Sequence, residues 1–174
     1  MHRDYAERRA EVLRDLDGLR ADVDPDNKVG TLWLDRPPLN IVSFTGRAQI
    51  RALIEEMDHD DDVGVIVIRG ANGVFSSGGD VKGFPDIPKN KMSNLADNIG
   101  APERCEKPVI AALEKYCLGV GFELAMACDF RLASRDTLVG LPESAIGMMP
   151  GSGGSVRVAR IAGLTRAKDM VMLG

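Results

Sequence analysis

Histidine, cysteine and long apolar runs are scarce in this 174-residue chain, and each scarcity removes a class of chemistry. The histidines are His2 and His59, so a Ser-His-Asp triad has little material, and the pattern GxSxG does not occur. Cys105, Cys117 and Cys128 show no CxxC spacing and cannot all pair within one chain, which reads as reduced thiols in a cytosolic protein. No run approaches the roughly 18 apolar residues of a membrane-spanning helix. Residues 1–22 are charged throughout, unlike a signal peptide. Basic residues do not dominate either. A net charge of −4 and a pI near 5.2 argue against a nucleic-acid partner, which needs a basic stripe, although a few local basic residues could still hold a compact anion. Low-complexity tracts and linkers are absent. The expectation is a soluble, cytoplasmic protein with no membrane partner.

What is present can build a core. With 44% hydrophobic residues, the chain reads as one main domain at 19–174, preceded by an N-terminal helical extension at 1–18. In that extension, Tyr5, Val12, Leu13 and Leu16 mark a modestly amphipathic helix over 3–17. Residues 19–23 and 28–34 read as strands joined by the turn Pro25-Asp26-Asn27. The RPPLN segment at 36–40 cannot continue a central strand, because proline has no N–H to give. Ile50, Leu53, Ile54 and Met57 form a helical stripe. DHDDD at 58–62 reads as a solvated turn, with a weak surface metal site as the alternative. VGVIVIRG at 63–70 suits a strand buried on both faces. Residues 85–100 are polar, carry two prolines and read as an irregular, mobile connection. Strands follow at 109–113 and 130–133, with a helix over 120–128 and another beginning near Gly151. Strands alternating with helices place the chain in the α/β class.

The stretch VFSSGGDVKGF, residues 74–84, puts Ser77-Gly78-Gly79-Asp80 directly after an apolar strand. Glycine there serves a tight turn, or it lets a ligand reach the backbone N–H groups. A second strand–glycine–helix junction occurs at Gly119-Val120-Gly121. Helix N-termini expose unpaired N–H groups and partial positive charge, so donors near Gly79 and Val120 could together hold one carbonyl oxygen. Tight packing is the equal alternative. Glu123 falls in the first turn of an otherwise apolar helix, and Glu143 follows Pro142 at a helix-entry position. Each alone reads as structural; beside a pair of N–H donors they would make a water-handling acid/base pair. Rival motifs are incomplete. PGSGGS at 150–155 lacks the lysine of GxxxxGK[ST], and GVGFEL is not GxGxxG.

Three segments together carry a family resemblance. VFSSGGDVKGF, KPVIAALEKYCLGVGFELAMACDFRLAS and LVGLPESAIGMMPGSGG resemble, in order and spacing, the conserved segments of the crotonase superfamily, the enoyl-CoA hydratase/isomerase group. The resemblance runs from about Leu19 to Gly174. It implies a spiral of repeated ββα units, an acyl-CoA ligand, no cofactor beyond the coenzyme A of the substrate, and a homo-oligomer, trimer or hexamer, if the family's C-terminal helical segment is present. This sequence stops at MVMLG, where family members usually continue, and so reads either as a fragment or as a shortened protein whose site is completed some other way. The resemblance assigns the oxyanion-hole positions to Gly79 and Val120, the water- and proton-handling carboxylates to Glu123 and Glu143, and contact along the ligand to Ser77, Asp80, Val81 and Lys82, with Lys82 near a phosphate. Phe44, Phe84, Met148 and Met149 would line an acyl pocket covered by residues 85–100, with plain core packing as the equal alternative for each.

This sequence departs from the family pattern in several places. Glu114-Lys115 stands where asparagine-glycine is usual, Gly119-Val120-Gly121 replaces three glycines, and Gly79 replaces an alanine, as in ring-forming or ring-opening members. Those members generally lack one of the glutamates, so the presence of both favours hydration of an α,β-unsaturated thioester. The alternatives are another reaction of the superfamily (isomerisation, thioester hydrolysis or C–C cleavage) and a non-catalytic acyl-CoA-binding or assembly subunit.

Overall fold

The computed structural model describes residues 14–86 and 94–174, with no side chains described at 84–86. The expected helix at 3–17 lies mostly outside them. Residues 14–17, which are described, form turn and bend rather than helix.

A five-stranded sheet is built from β1 (Leu19–Asp24), β2 (Val29–Leu34), β3 (Val65–Gly70), β4 (Val109–Leu113) and β6 (Phe130–Ala133), in the order β1-β2-β3-β4-β6. β1 and β2 form an antiparallel hairpin, and the remaining neighbours pair in parallel. Parallel neighbours require crossover connections, which accounts for the spacing of the strands along the chain. β5 (Tyr116–Leu118) pairs in parallel with β7 (Leu138–Gly140) in a second, smaller sheet.

The ββα spiral is visible in how these layers grow together. β4 and β5 lead into α3 (Val120–Ala127), and β6 and β7 lead into the Pro142–Ile146 turn. As β4 pairs with β6, β5 pairs with β7, so each unit adds one strand to each layer. Earlier units continue the second layer through single bridges, Val42 to Gly79 and Ser76 to Cys117. Residues 76–79 therefore lie between Val42 and β5 in space.

Helix α1 (Phe44–Asp58) closes the inner face of the large sheet. Ser43 caps it, its Oγ accepting from the Gly46 N–H at 2.9 Å. Its buried Ile50, Leu53, Ile54 and Met57 join Leu32, Leu34, Ile66, Ile68, Val109 and Ala111 in the core. Each such side chain contributes about 1.5–3 kcal/mol on burial. β3 is not buried on both faces as the β-branched run predicts. Ile66 and Ile68 are buried, but Val65, Val67 and Arg69 on the other face are half-buried. Arg69 stacks on Trp33 there from 4.5 Å, and Arg20 does so from 4.4 Å.

Residues 59–62 form the expected turn, in which the His59 ring nitrogen Nδ1 lies 2.6 Å from the Glu55 carbonyl, but Asp58 closes α1 and its Oδ1 accepts from the Glu106 and Lys107 N–H groups rather than facing only solvent. No cluster of three or more metal-ligating side chains occurs among the described residues. Within 85–100 the structure differs from an irregular connection. Leu95–Ile99 is a short helix, α2, that buries Ile99 completely. Its Asp97 pairs with Arg51 of α1 and, at 3.3 Å, with Arg104. These partners are distant in sequence, so no local pattern announces the helix.

The β4–β5 turn makes Lys115 adopt a φ of +57°, a conformation suited to glycine. After β7, α4 (Gly154–Ala162) begins three residues later than Gly151, and α5 (Leu164–Lys168) follows. α4 is tied down by Arg157, which is buried and grips both Glu103 carboxylate oxygens, at 2.9 and 2.7 Å.

Candidate active site

The second layer brings Gly79 and Val120 side by side. Phe75 and Ser76 donate their N–H groups to the carbonyls of Glu114 and Tyr116, and the Leu118 N–H donates back to Ser76 at 3.0 Å. Closeness here depends on missing side chains. A Cβ on Gly121 would come within 2.7 Å of the Ser76 Cβ, and Gly119 holds a φ of +52° that favours glycine. The Gly79 N–H makes no hydrogen bond among the described residues, and neither does that of Val120, the first residue of α3. Two unpaired donors from adjacent segments can hold one carbonyl oxygen that gains negative charge.

Asn40 fixes the 71–79 segment from beneath. Its buried amide donates to the carbonyls of Ala71 and Val74, at 3.0 and 2.6 Å, and accepts from the Arg36 N–H at 3.0 Å. The Ser77 N–H then donates to Leu39. RPPLN thus ends in a residue that locates the glycine segment, a role its turn-like composition conceals.

The glutamates face one cavity of about 720 Å³ with largely apolar walls. Glu123 is fully buried in the first turn of α3, and its Oε1 accepts from the N–H groups of Ser152 and Gly154, both at 2.8 Å. Those donors are the N-terminus of α4, an environment that suits an anionic carboxylate. PGSGGS therefore does cradle an acidic group, but that group is the Glu123 carboxyl. Glu143 sits in the Pro142–Ile146 turn, its Oε1 beside Gly119 and its buried Oε2 without a hydrogen bond. Burial is the main cause that holds its carboxyl above the ordinary carboxylate value. Nearby Glu123 adds to this, while a hydrogen bond to its own backbone and the Arg47 charge oppose it.

Arg47 escaped the sequence reading. It lines the same cavity from α1, is 4% exposed, donates from Nη1 to the Ser152 Oγ at 3.1 Å and lies over the Phe44 ring at 4.6 Å. The signal was a charged residue three positions before Ile50, on the buried face of a helix.

Among the expected residues, Gly79, Val120, Glu123, Glu143, Ser77 and Val81 line the cavity. So do Phe44, Met148 and Met149, and Leu95 of the 85–100 connection. Asp80 and Lys82 do not; the Asp80 N–H pairs with Val42 and Lys82 is exposed on the following turn. The Phe84 side chain and residues 87–93 lie outside the described part.

Comparison with known proteins adds the lineage. The family model for enoyl-CoA hydratase/isomerase matches residues 24–174. A probable enoyl-CoA hydratase of Rhizobium meliloti is 36% identical over 156 residues, covering 87% of this chain and 60% of that protein. The human peroxisomal bifunctional enzyme is 35% identical over 148 residues, 85% of this chain and 20% of that one. The solved enoyl-CoA hydratase of Bacillus anthracis superposes with a TM-score of 0.81 at 28% identity, covering 91% of this chain and 63% of that one. The chain belongs to the enoyl-CoA hydratase/isomerase family. It spans 60% of the length of the Rhizobium meliloti relative and 20% of the human one.

Proposed function

We propose that this site adds water to, or removes it from, an α,β-unsaturated acyl-CoA thioester. One observation carries the reading: a single cavity gathers two unpaired backbone N–H groups and two carboxylates from separate ββα units. The Gly79 and Val120 N–H groups receive the thioester oxygen. That oxygen becomes negative as water attacks Cβ and an enolate forms, and one such donor is worth about 3–4 kcal/mol. Glu123, held at the N-terminus of α4, takes the proton from the attacking water. Glu143, whose burial favours its protonated form, delivers a proton to Cα. The product carries OH at Cβ and a new hydrogen at Cα, the net addition of one water, and the proton taken up by Glu123 passes back to Glu143 through solvent before the next turnover. The coenzyme A is part of the substrate, and no further cofactor enters.

Where the family's C-terminal segment is present, a homo-oligomer, trimer or hexamer, accompanies this reading, and the exposed Phe130 and Leu132 of β6 and Leu138 of β7 offer apolar surface for it. Light scattering measures it. Among the described residues no helix is long and apolar enough to cross a membrane.

The deciding experiment is a mass-spectrometric product assay on a panel of enoyl-CoA thioesters, with Glu143→Gln as control. A product heavier by one water, lost in the variant, supports hydration. Free coenzyme A, an isomer of unchanged mass, or binding without turnover each sinks it.

A further inference from the structure

Arg47 is the one cation among the described residues that line the cavity, and the chemistry above gives it no contact with substrate. Every other buried residue of α1 is apolar or glycine, so a guanidinium there needs a reason. Its Nε is buried without a hydrogen bond, and no carboxylate lies within ion-pair contact of it among the described residues. Arg157 provides the contrast, since Glu103 neutralises it directly.

Both arginines converge on Ser152, which is fully buried. Its Oγ accepts from Arg47 at 3.1 Å, its carbonyl accepts from Arg157 at 2.6 Å, and its N–H donates to Glu123 at 2.8 Å. Arg157 is thus spent on Glu103 and the loop. The Arg47 charge remains for the cavity.

We propose that Arg47 is a positioning residue for the glutamate pair: it fixes Ser152 beneath Glu123 and supplies the positive field in which Glu143 exchanges its proton. Glu123 from α3 and Glu143 from the Pro142–Ile146 turn are the charged groups that act on Arg47. Glu123 and Arg47 are those that act on Glu143. Gly151 and Ser152, which line the cavity from the loop before α4, bring no charge to it. The consequence for turnover rests on the hydration reading, but the effect on Glu143 does not.

The test titrates Glu143 by carbon NMR in protein labelled at the glutamate carboxyls, with Glu143→Gln to assign the signal. Arg47→Met is expected to raise the Glu143 titration by about one pH unit, because an opposite charge has been removed. Arg47→Lys retains the charge and is expected to restore most of the shift. In hydration assays the alkaline limb of the Arg47→Met profile, where Glu143 loses the proton it must deliver, moves the same way, with kcat reduced about tenfold and KM changed less. Ser152→Ala keeps the charge but releases Arg47, so kcat is expected to fall while the Glu143 titration holds. A folded Arg47→Met protein with the parent titration overturns the proposal. If Arg47→Met does not fold, parental kcat in Ser152→Ala does so instead. A parent that adds no water defeats the hydration reading alone, because the titration still decides the role of Arg47.

Discussion

Gly154→Ala is the sharpest probe of how the site is held. A Cβ at position 154 would lie 2.8 Å from both the Glu123 Cγ and Oε1, and 3.1 Å from the Pro150 Cβ. Ordinary carbon contacts begin near 3.5 Å, so α4 and Glu123 must separate by roughly 0.7 Å. Glu123 is fully buried and cannot swing into water. The separation therefore stretches two hydrogen bonds, from Ser152 and Gly154, that now stand at 2.8 Å. Hydrogen bonds to a charged group contribute about 1.5–3 kcal/mol each, and partial loss of both gives a destabilisation of roughly 2–3 kcal/mol. Alanine's better helix propensity returns at most about 1 kcal/mol, leaving a net loss near 2 kcal/mol. Displacement on this scale also misplaces the carboxylate and is expected to lower hydration by about 100-fold. Urea denaturation and the product assay measure the two effects. Parental stability with parental turnover would show that Glu123 is not held against α4 as described.

Other expectations follow from single residues. Glu143 holds its proton more tightly folded than unfolded, so stability falls as pH rises above its ordinary value of 4.5. Glu143→Gln cannot ionise and should be more stable than the parent at neutral pH, an advantage that disappears well below pH 4.5; urea midpoints across pH check this. Asn40→Ala orphans the Val74 carbonyl and the Arg36 N–H and leaves the Ala71 carbonyl only its bond from the Val74 N–H, which should cost about 2–3 kcal/mol, with the product assay reporting whether residues 76–79 move as well. Lys115→Gly relieves the left-handed backbone at φ +57° and should stabilise by roughly 0.5–1 kcal/mol in thermal unfolding, after the extra freedom of glycine in the unfolded chain is counted.

Local pattern reveals a residue when its role is set by its neighbours in the chain. The stripe from Ile50 to Met57 forms α1, and the pairing of strands with glycine turns points to Gly79 and Val120. The position of Glu123 one turn into α3 was equally legible, because helix geometry alone puts it there. α2 was hidden because its ion pairs reach to Arg51 and Arg104. The half-exposed face of β3 was hidden too, since a β-branched run reads the same whether one face or both are covered.

The amino-acid order alone determined the α/β alternation, the two strand–glycine–helix junctions and the residue types available for chemistry, because all of these depend on backbone preferences a few residues long. Tertiary structure decided which of those pieces meet. Pairing of Ser76 with Cys117 set two unpaired N–H groups beside each other. Packing of α4 against α3 turned a loop resembling a phosphate cradle into the holder of Glu123. Packing of α1 placed Arg47 beside both glutamates, although it stands 76 and 96 residues from them in sequence. Such contacts depend on how the layers stack, and stacking is a property of the whole chain rather than of any segment within it.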